Sequence, residues 1–495
     1  MMRKQTSRGA KDGSLRRTAC ALLCLAFTLV VSHGWADTII LKNGRRIPAG
    51  AVTEEGDKVN YEGAEGRISL PKTLIDRIEK DNAAPAPSAA LSQVPAPGSA
   101  SGVFAKALSV QIQVPQKDAE GVVRDGAVDE ERLQAVARLA SKGGLERQNA
   151  VNSYLVAAAF EVQHQRAGPA SKFSEAALDL SPEDMNALIL AADIDILRQQ
   201  YSESLRHLLL AQSLKSDSPE VLTLRGYAYY FLEGPERANR YWKQAKALHP
   251  DPKLDDLIEQ TEKEEKVEGG FIQAQSNHFI LNREGSEISE TFSREILETL
   301  EQQFRDLESA LDYSPREPLT VILYPAKQFA DITRVPGWVG ALNDGKIRVP
   351  VRGLSSMTAE LARVLKHEMV HSFVHRQVQG RCPTWFNEGL AQVESGETPA
   401  LSSFALSTIY ADSKQIPLAQ LEGSFMQFNT ALAALAYAES QAAVTMIADR
   451  YGPYELSRLL KTMGEGKSMA EALRQLLRTD YKELETELAN RFAKR

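Results

Sequence analysis

Apolar and polar positions follow different rhythms along this chain, and the changes of rhythm divide it. Between Asp37 and Asp81, short alternating runs (Thr38–Lys42, Arg45–Thr53, Lys58–Glu62, Arg67–Leu70, Leu74–Ile78) are punctuated by Asn43-Gly44, Glu55-Gly56-Asp57 and Glu65-Gly66. That pattern predicts a small all-β module of SH3-like size. Residues 82–102 are rich in Ala, Pro and Ser and hold no charge, the composition of a flexible linker. Residues 103–150 read as a helical lead-in. Helical spacing then dominates residues 151–268, and from Phe271 the pattern becomes mixed. Phe279-Ile280-Leu281 predicts a strand. Ile288, Phe292, Ile296, Leu300, Phe304, Leu307 and Leu311 mark one long amphipathic helix. Leu319–Tyr324 (LTVILY) is a buried strand and Lys346–Pro350 a shorter one. A further helix starts near Ser355 or Ser356, both able to cap it, and ends before Gly380. Helices follow to Arg495, so residues 271–495 form an α+β domain.

The helical region repeats. In 34-residue windows from Val151, Met185 and Pro219, Ala170, Ser204 and Ala238 share one position, and Ala177, Ala211 and Ala245 another. In the third window Leu222, Gly226, Tyr229, Ala238, Trp242, Ala245 and Pro250 fall where tetratricopeptide repeats place such residues. The segment resembles three such repeats, closed by a polar capping helix over Lys253–Val267. Small residues let paired helices pack closely. Two roles stand open: a surface that binds a peptide or protein partner, and a spacer with no ligand of its own.

Composition and charge narrow the setting. With 43% apolar and 25% charged residues, the chain has ordinary globular composition. Six basic residues (Arg3, Lys4, Arg8, Lys11, Arg16, Arg17) and one acid, Asp12, precede an apolar run, Ala19–Val31, of 13 residues. Gly34 and Ala36 then precede Asp37, so residues 1–36 read as a secretory signal peptide, too short in its apolar part to span a bilayer comfortably. Its removal takes the net charge from −7 to −12 (six positive and one negative charge lost). No basic run stands out after it, which argues against a nucleic-acid partner. The expected location is periplasmic or extracellular, with no membrane span in the mature chain. Of three cysteines only Cys382 remains, so no intrachain disulfide is expected. Two readings stand for Cys382: a ligand or redox thiol, and a small apolar residue packing the turn before Pro383.

The chemistry lies in Val364–Ala391. His367, Glu368 and His371 form His-Glu-x-x-His on a predicted helix, which puts the two imidazoles one turn apart on one face, able to reach one zinc ion. Glu368 is set beside that metal, where it can take a proton from a zinc-activated water. A third ligand is needed, and Glu388, in Asn387-Glu388-Gly389 after 16 intervening residues, is the natural candidate. His375 lies two turns, roughly 12 Å, from His367, too far for all three histidines to hold one ion. It reads as a surface residue or one that supports the site.

These residues resemble the gluzincin metallopeptidases, most closely compact bacterial peptidase MA-like domains and more distantly aminopeptidase N-type enzymes, whose third ligand also sits in Asn-Glu-Gly. The resemblance covers residues 271–495. It implies His367, His371 and Glu388 as Zn²⁺ ligands and Glu368 as general base. It also places Tyr437, in AYAESQAAV, where a tyrosine stabilises the developing oxyanion, against the alternative of a packing tyrosine. Gly340-Ala341-Leu342-Asn343-Asp344 resembles the aminopeptidase GAMEN segment, with Asn343 where a glutamate grips the substrate's free amine. An endopeptidase is therefore expected rather than an aminopeptidase. The Lys346–Pro350 strand is a further candidate to pair with an extended substrate. The expected function is an exported zinc metallopeptidase acting on protein or peptide substrates. The rival is a non-catalytic envelope scaffold that uses the repeats.

Overall fold

The computed structural model describes residues 37–42, 46–55, 58–63, 66–80, 121–124, 126–215, 218–325, 328, 329, 332, 341–351, 353–425 and 428–493. The signal-peptide and linker readings fall outside them, as do residues 103–120 of the lead-in. Two compact units are present, divided between Ala86 and Pro87.

In the first unit, β1 (Asp37–Leu41), β2 (Arg46–Glu55), β3 (Lys58–Gly63), β4 (Gly66–Pro71) and β5 (Ile75–Lys80) form one antiparallel sheet in the order β4-β3-β2-β1-β5. The register pairs Ile39 with Ile47 on one side and Ile78 on the other.

The described part of the second unit begins with a short hairpin, β6 (Val123–Arg124) and β7 (Ala127–Val128), so the lead-in, expected to be helical, is helical only from Glu130 onwards. Gly126 sits in the turn at φ +76, a conformation that interrupts a helix. Eight helices follow: α1 (Glu130–Leu139), α2 (Gly144–Gln163), α3 (Ala167–Leu180), α4 (Met185–Leu197), α5 (Tyr201–Leu214), α6 (Pro219–Leu232), α7 (Pro235–Leu248) and α8 (Pro252–Glu268). Each packs on the next. The starts of α3, α5 and α7 are 34 residues apart, as are those of α4 and α6. Asp184, Ser218 and Asp251 cap α4, α6 and α8, and proline occupies the first position of α6, α7 and α8. Gly226 is where it is because a Cβ there would collide with the Trp242 indole, whose Nε1 donates to Thr223 O at 3.0 Å. The helix that contains Val151, α2, begins at Gly144, seven residues before it, where Gly143, at φ +72, ends the preceding 3-10 turn.

The remaining chain builds a five-stranded sheet in the order β11-β12-β10-β9-β8 (Leu342–Asn343, Ile347–Pro350, Leu319–Tyr324, Phe279–Arg283, Ile272–Gln275). β9, β10 and β12 run parallel, and the outer two strands antiparallel. The crossover from β9 to β10 is α9 (Glu290–Leu311), which buries Phe292, Ile296, Leu300, Phe304, Leu307 and Leu311 along one face. Each such side chain contributes roughly 1.5–3 kcal/mol. After the sheet come α10 (Ala359–Val378), α11 (Thr384–Ser395), α12 (Ser403–Ala411), α13 (Thr430–Tyr451), α14 (Tyr454–Gly464), α15 (Met469–Ala472) and α16 (Tyr481–Ala493). One continuous apolar core runs from Phe279 to Phe492. α13 is long and apolar enough to cross a membrane, yet it packs against α11 and α14 within this core.

Two expectations change here. The Lys346–Pro350 strand is not open along its whole edge, because β11 already pairs with its first half through Leu342↔Arg348 and Asn343↔Ile347. His375, read as a surface residue or one that supports the site, is half-buried against α4. Its Nε2 lies 3.3 Å from Leu197 O, at the end of α4, and burial lowers its pKa to about 4. Next to it Arg376 donates to Gln199 Oε1 at 2.9 Å. The carboxylate of Glu317 accepts from Tyr201 N and Ser202 N, at 3.1 and 2.7 Å. A negative group at the first turn of α5 satisfies donors that a helix start leaves unpaired.

Candidate metal centre

α10 carries the His-Glu-x-x-His pentad. Its cap is Thr358, whose side chain accepts from Leu361 N at 3.1 Å, rather than Ser355 or Ser356. The helix begins only where the chain leaves the extended backbone of Thr358, three residues before Leu361 enters the core. His367, Glu368 and His371 are all buried. α11 packs across α10 and delivers Glu388, also buried. Gly389 allows α13 to close over α11, since a Cβ there would overlap the carbonyl of Ser440. Three helices thus converge on one point.

One ligand atom from each of His367, His371 and Glu388 lies within 4.8 Å of the others. Glu388 Oε2 is 3.6 Å from His367 Nε2 and 3.8 Å from His371 Nε2. These three atoms are buried and make no hydrogen bond among the described residues. Unpaired buried polar atoms are costly, and three aimed at one another match the donor set of a zinc site. The residues fit a metal ion.

Polar groups face the other nitrogen of each ring. His371 Nδ1 is 3.0 Å from Asn387 Oδ1. An N–H donated there leaves the Nε2 lone pair facing Glu388. His367 Nδ1 is 2.8 Å from Glu397 Oε1, and Gln441 Nε2 donates to Glu397 O at 2.8 Å. Burial disfavours charge on His367, but Glu397 and Glu388 outweigh it and raise its pKa to about 10. Burial, with the neighbouring His367 charge, lowers His371 to about 3. Burial raises Glu388 to about 7 against the pull of His367.

Tyr437, on α13, is buried edge-on against Phe425, with ring centroids 5.5 Å apart. Burial raises its pKa well above the ordinary value, and Glu388, Glu368 and Glu397 add to the shift, so the phenol stays protonated within the field of the site. Cys382 is buried in the apolar core, its thiol pKa raised by burial, and is not among the clustered ligands. Asn343 is engaged within the fold: its Nδ2 donates to Glu368 O at 2.8 Å and Ser372 Oγ at 2.7 Å. Sequence reasoning missed Glu397. It lies beyond the left-handed turn at Gly396 that ends α11, outside any helical spacing.

The sequence profile of the Peptidase MA superfamily matches residues 301–493. No curated protein matches the chain. The Peptidase MA match contains the pentad, Glu388, Glu397 and Tyr437. It starts within α9, whereas the shared core begins earlier, at Phe279.

Proposed function

We propose that this chain is an exported zinc-dependent metallopeptidase hydrolysing peptide bonds in protein or peptide substrates. The observation that carries the reading is the set of three buried, unpaired ligand atoms on His367, His371 and Glu388. These residues would hold Zn²⁺. When bound there, zinc supplies a Lewis acid that acidifies a water and polarises the scissile carbonyl. Glu368 takes the proton from the attacking water and passes it to the leaving amine. Tyr437, kept protonated, donates a hydrogen bond to the oxyanion as charge develops. Glu397 and Asn387 hold the two imidazoles in the ligating orientation.

Endopeptidase action is favoured over aminopeptidase action. Both amide ends of Asn343 are engaged, its Oδ1 accepting from Gly345 N at 3.2 Å, and no carboxylate stands at that position to hold a free amine. Residues 151–268 are read as tetratricopeptide-like on the 34-residue spacing of their helix starts, and as a surface for a partner or substrate. Residues 37–81 are an accessory β module, and residues 1–36 direct the chain to the periplasm or beyond. Metal analysis tests the reading. Zinc near one per chain, lost to a chelator together with cleavage of a peptide library, is the expected result. A metal-free protein indifferent to chelation would instead be a scaffold.

A further inference from the structure

The turn between β11 and β12 is built into the repeats rather than left at the sheet's edge. Gly345, at φ +99, lies under the Phe231 ring of α6, and a Cβ there would come within 2.6 Å of it. The Lys346 ammonium sits 3.6 Å from the centroid of the Tyr230 ring. Arg348, on β12, is 1% exposed and spends its fork on both modules. Its Nε donates to Asp344 Oδ2 at 3.1 Å, inside the turn. Its NH1 donates to Glu268 Oε1 at 3.0 Å, and its NH2 to Tyr230 OH at 2.7 Å and Glu264 Oε2 at 3.3 Å. Glu264 and Glu268 lie on α8. Burial works against the charge on Glu264, but Arg348 and Lys346 overcome it and hold its pKa below the usual value.

Asn343 begins that turn, and its amide is the group bound to Glu368 O and Ser372 Oγ on α10. β11 has only two residues, so its own pairing with β12 holds it weakly. We propose that Arg348 is a positioning residue for peptide hydrolysis: clamped by Glu264 and Glu268 of α8, the helix that closes the repeats, it fixes the turn through which Asn343 anchors the α10 backbone at Glu368. The repeats thereby complete the site as well as flank it. This rests on the reading of Glu368 as general base. An arginine suits the role because a planar fork can engage several oxygens in fixed directions, which a lysine cannot.

The test is a double-mutant cycle in the full chain, between residues on different modules. Glu268→Ala and Asn343→Ala are each expected to lower kcat by about tenfold or more with zinc content retained, as for a slightly misplaced catalytic group. The double variant is expected to lose little beyond the worse single, because both break one linkage. Amide hydrogen exchange at residues 368–372, measured without zinc, is expected to quicken in each. Losses that multiply in the double variant, or unchanged exchange in a folded Glu268→Ala protein, would overturn the proposal. Glu268→Gln, which keeps the side-chain size, carries the same comparison where the alanine variant is insoluble. An inactive wild type whose variants still exchange faster would refute the peptidase reading and leave the clamp standing.

Discussion

Glu397 Oε1 lies 2.8 Å from Nδ1 of His367, whose Nε2 is 3.6 Å from Glu388 Oε2. Each nitrogen of that ring therefore faces a different carboxylate. Replacing Glu397 by Gln or Ala is expected to weaken zinc affinity about 10–100-fold while leaving the fold intact. Competition with a chromophoric chelator measures it. Unchanged affinity would remove Glu397 from the metal site.

Gly389 lies inside α11, where alanine ordinarily favours a helix by about 1 kcal/mol. Here the Ser440 carbonyl occupies the space a Cβ needs. Gly389→Ala is expected to destabilise the protein by about 1–3 kcal/mol, the range for an overpacked core. It is also expected to lower activity, because α13 carries Tyr437. Denaturant unfolding of the variant tests the sign.

Tyr437→Phe keeps the ring against Phe425 and removes only the hydroxyl. Loss of one oxyanion donor costs about 10²–10³ in kcat. A fall of that size with KM and melting temperature little changed is expected from steady-state kinetics and calorimetry. A variant with full kcat would make Tyr437 a packing residue.

Asp193, buried on α4, has its pKa raised by burial to about 8 from an ordinary 3.8. The folded state thus holds a proton that the unfolded chain releases. The stability this contributes is complete below the unfolded pKa and is lost as pH rises through about 8. Asp193→Asn, which cannot ionise, is expected to raise the melting temperature at pH 8 by a margin that shrinks towards pH 4. Thermal melts at both values test it, and a margin that grows on acidification would contradict it.

The local features were legible and the long-range ones were not. His367, Glu368 and His371 could be read because helical geometry converts a four-residue spacing into a shared face. Leu319–Tyr324 could be read to the residue because an apolar run between turn signals is a buried strand. Glu388 followed from the need for a third ligand. Glu397, by contrast, meets His367 only through the fold, 30 positions further along the chain. Arg348 meets Glu264 and Glu268 at separations of 84 and 80 residues, and no periodicity links them. Thr358 was passed over as a cap because Ser355 and Ser356 carry the same capping chemistry nearby. For His375 a surface place and a supporting one both stood open, because nothing local showed that α4 ends against it.

In the proposed mechanism Glu368 supplies the proton transfer at a metal held by His367, His371 and Glu388. Its most direct test compares wild type and Glu368→Gln for zinc content and for cleavage of a peptide library. Equal zinc and a loss of turnover to background in the variant are expected. Cleavage by Glu368→Gln at the wild-type rate would contradict it.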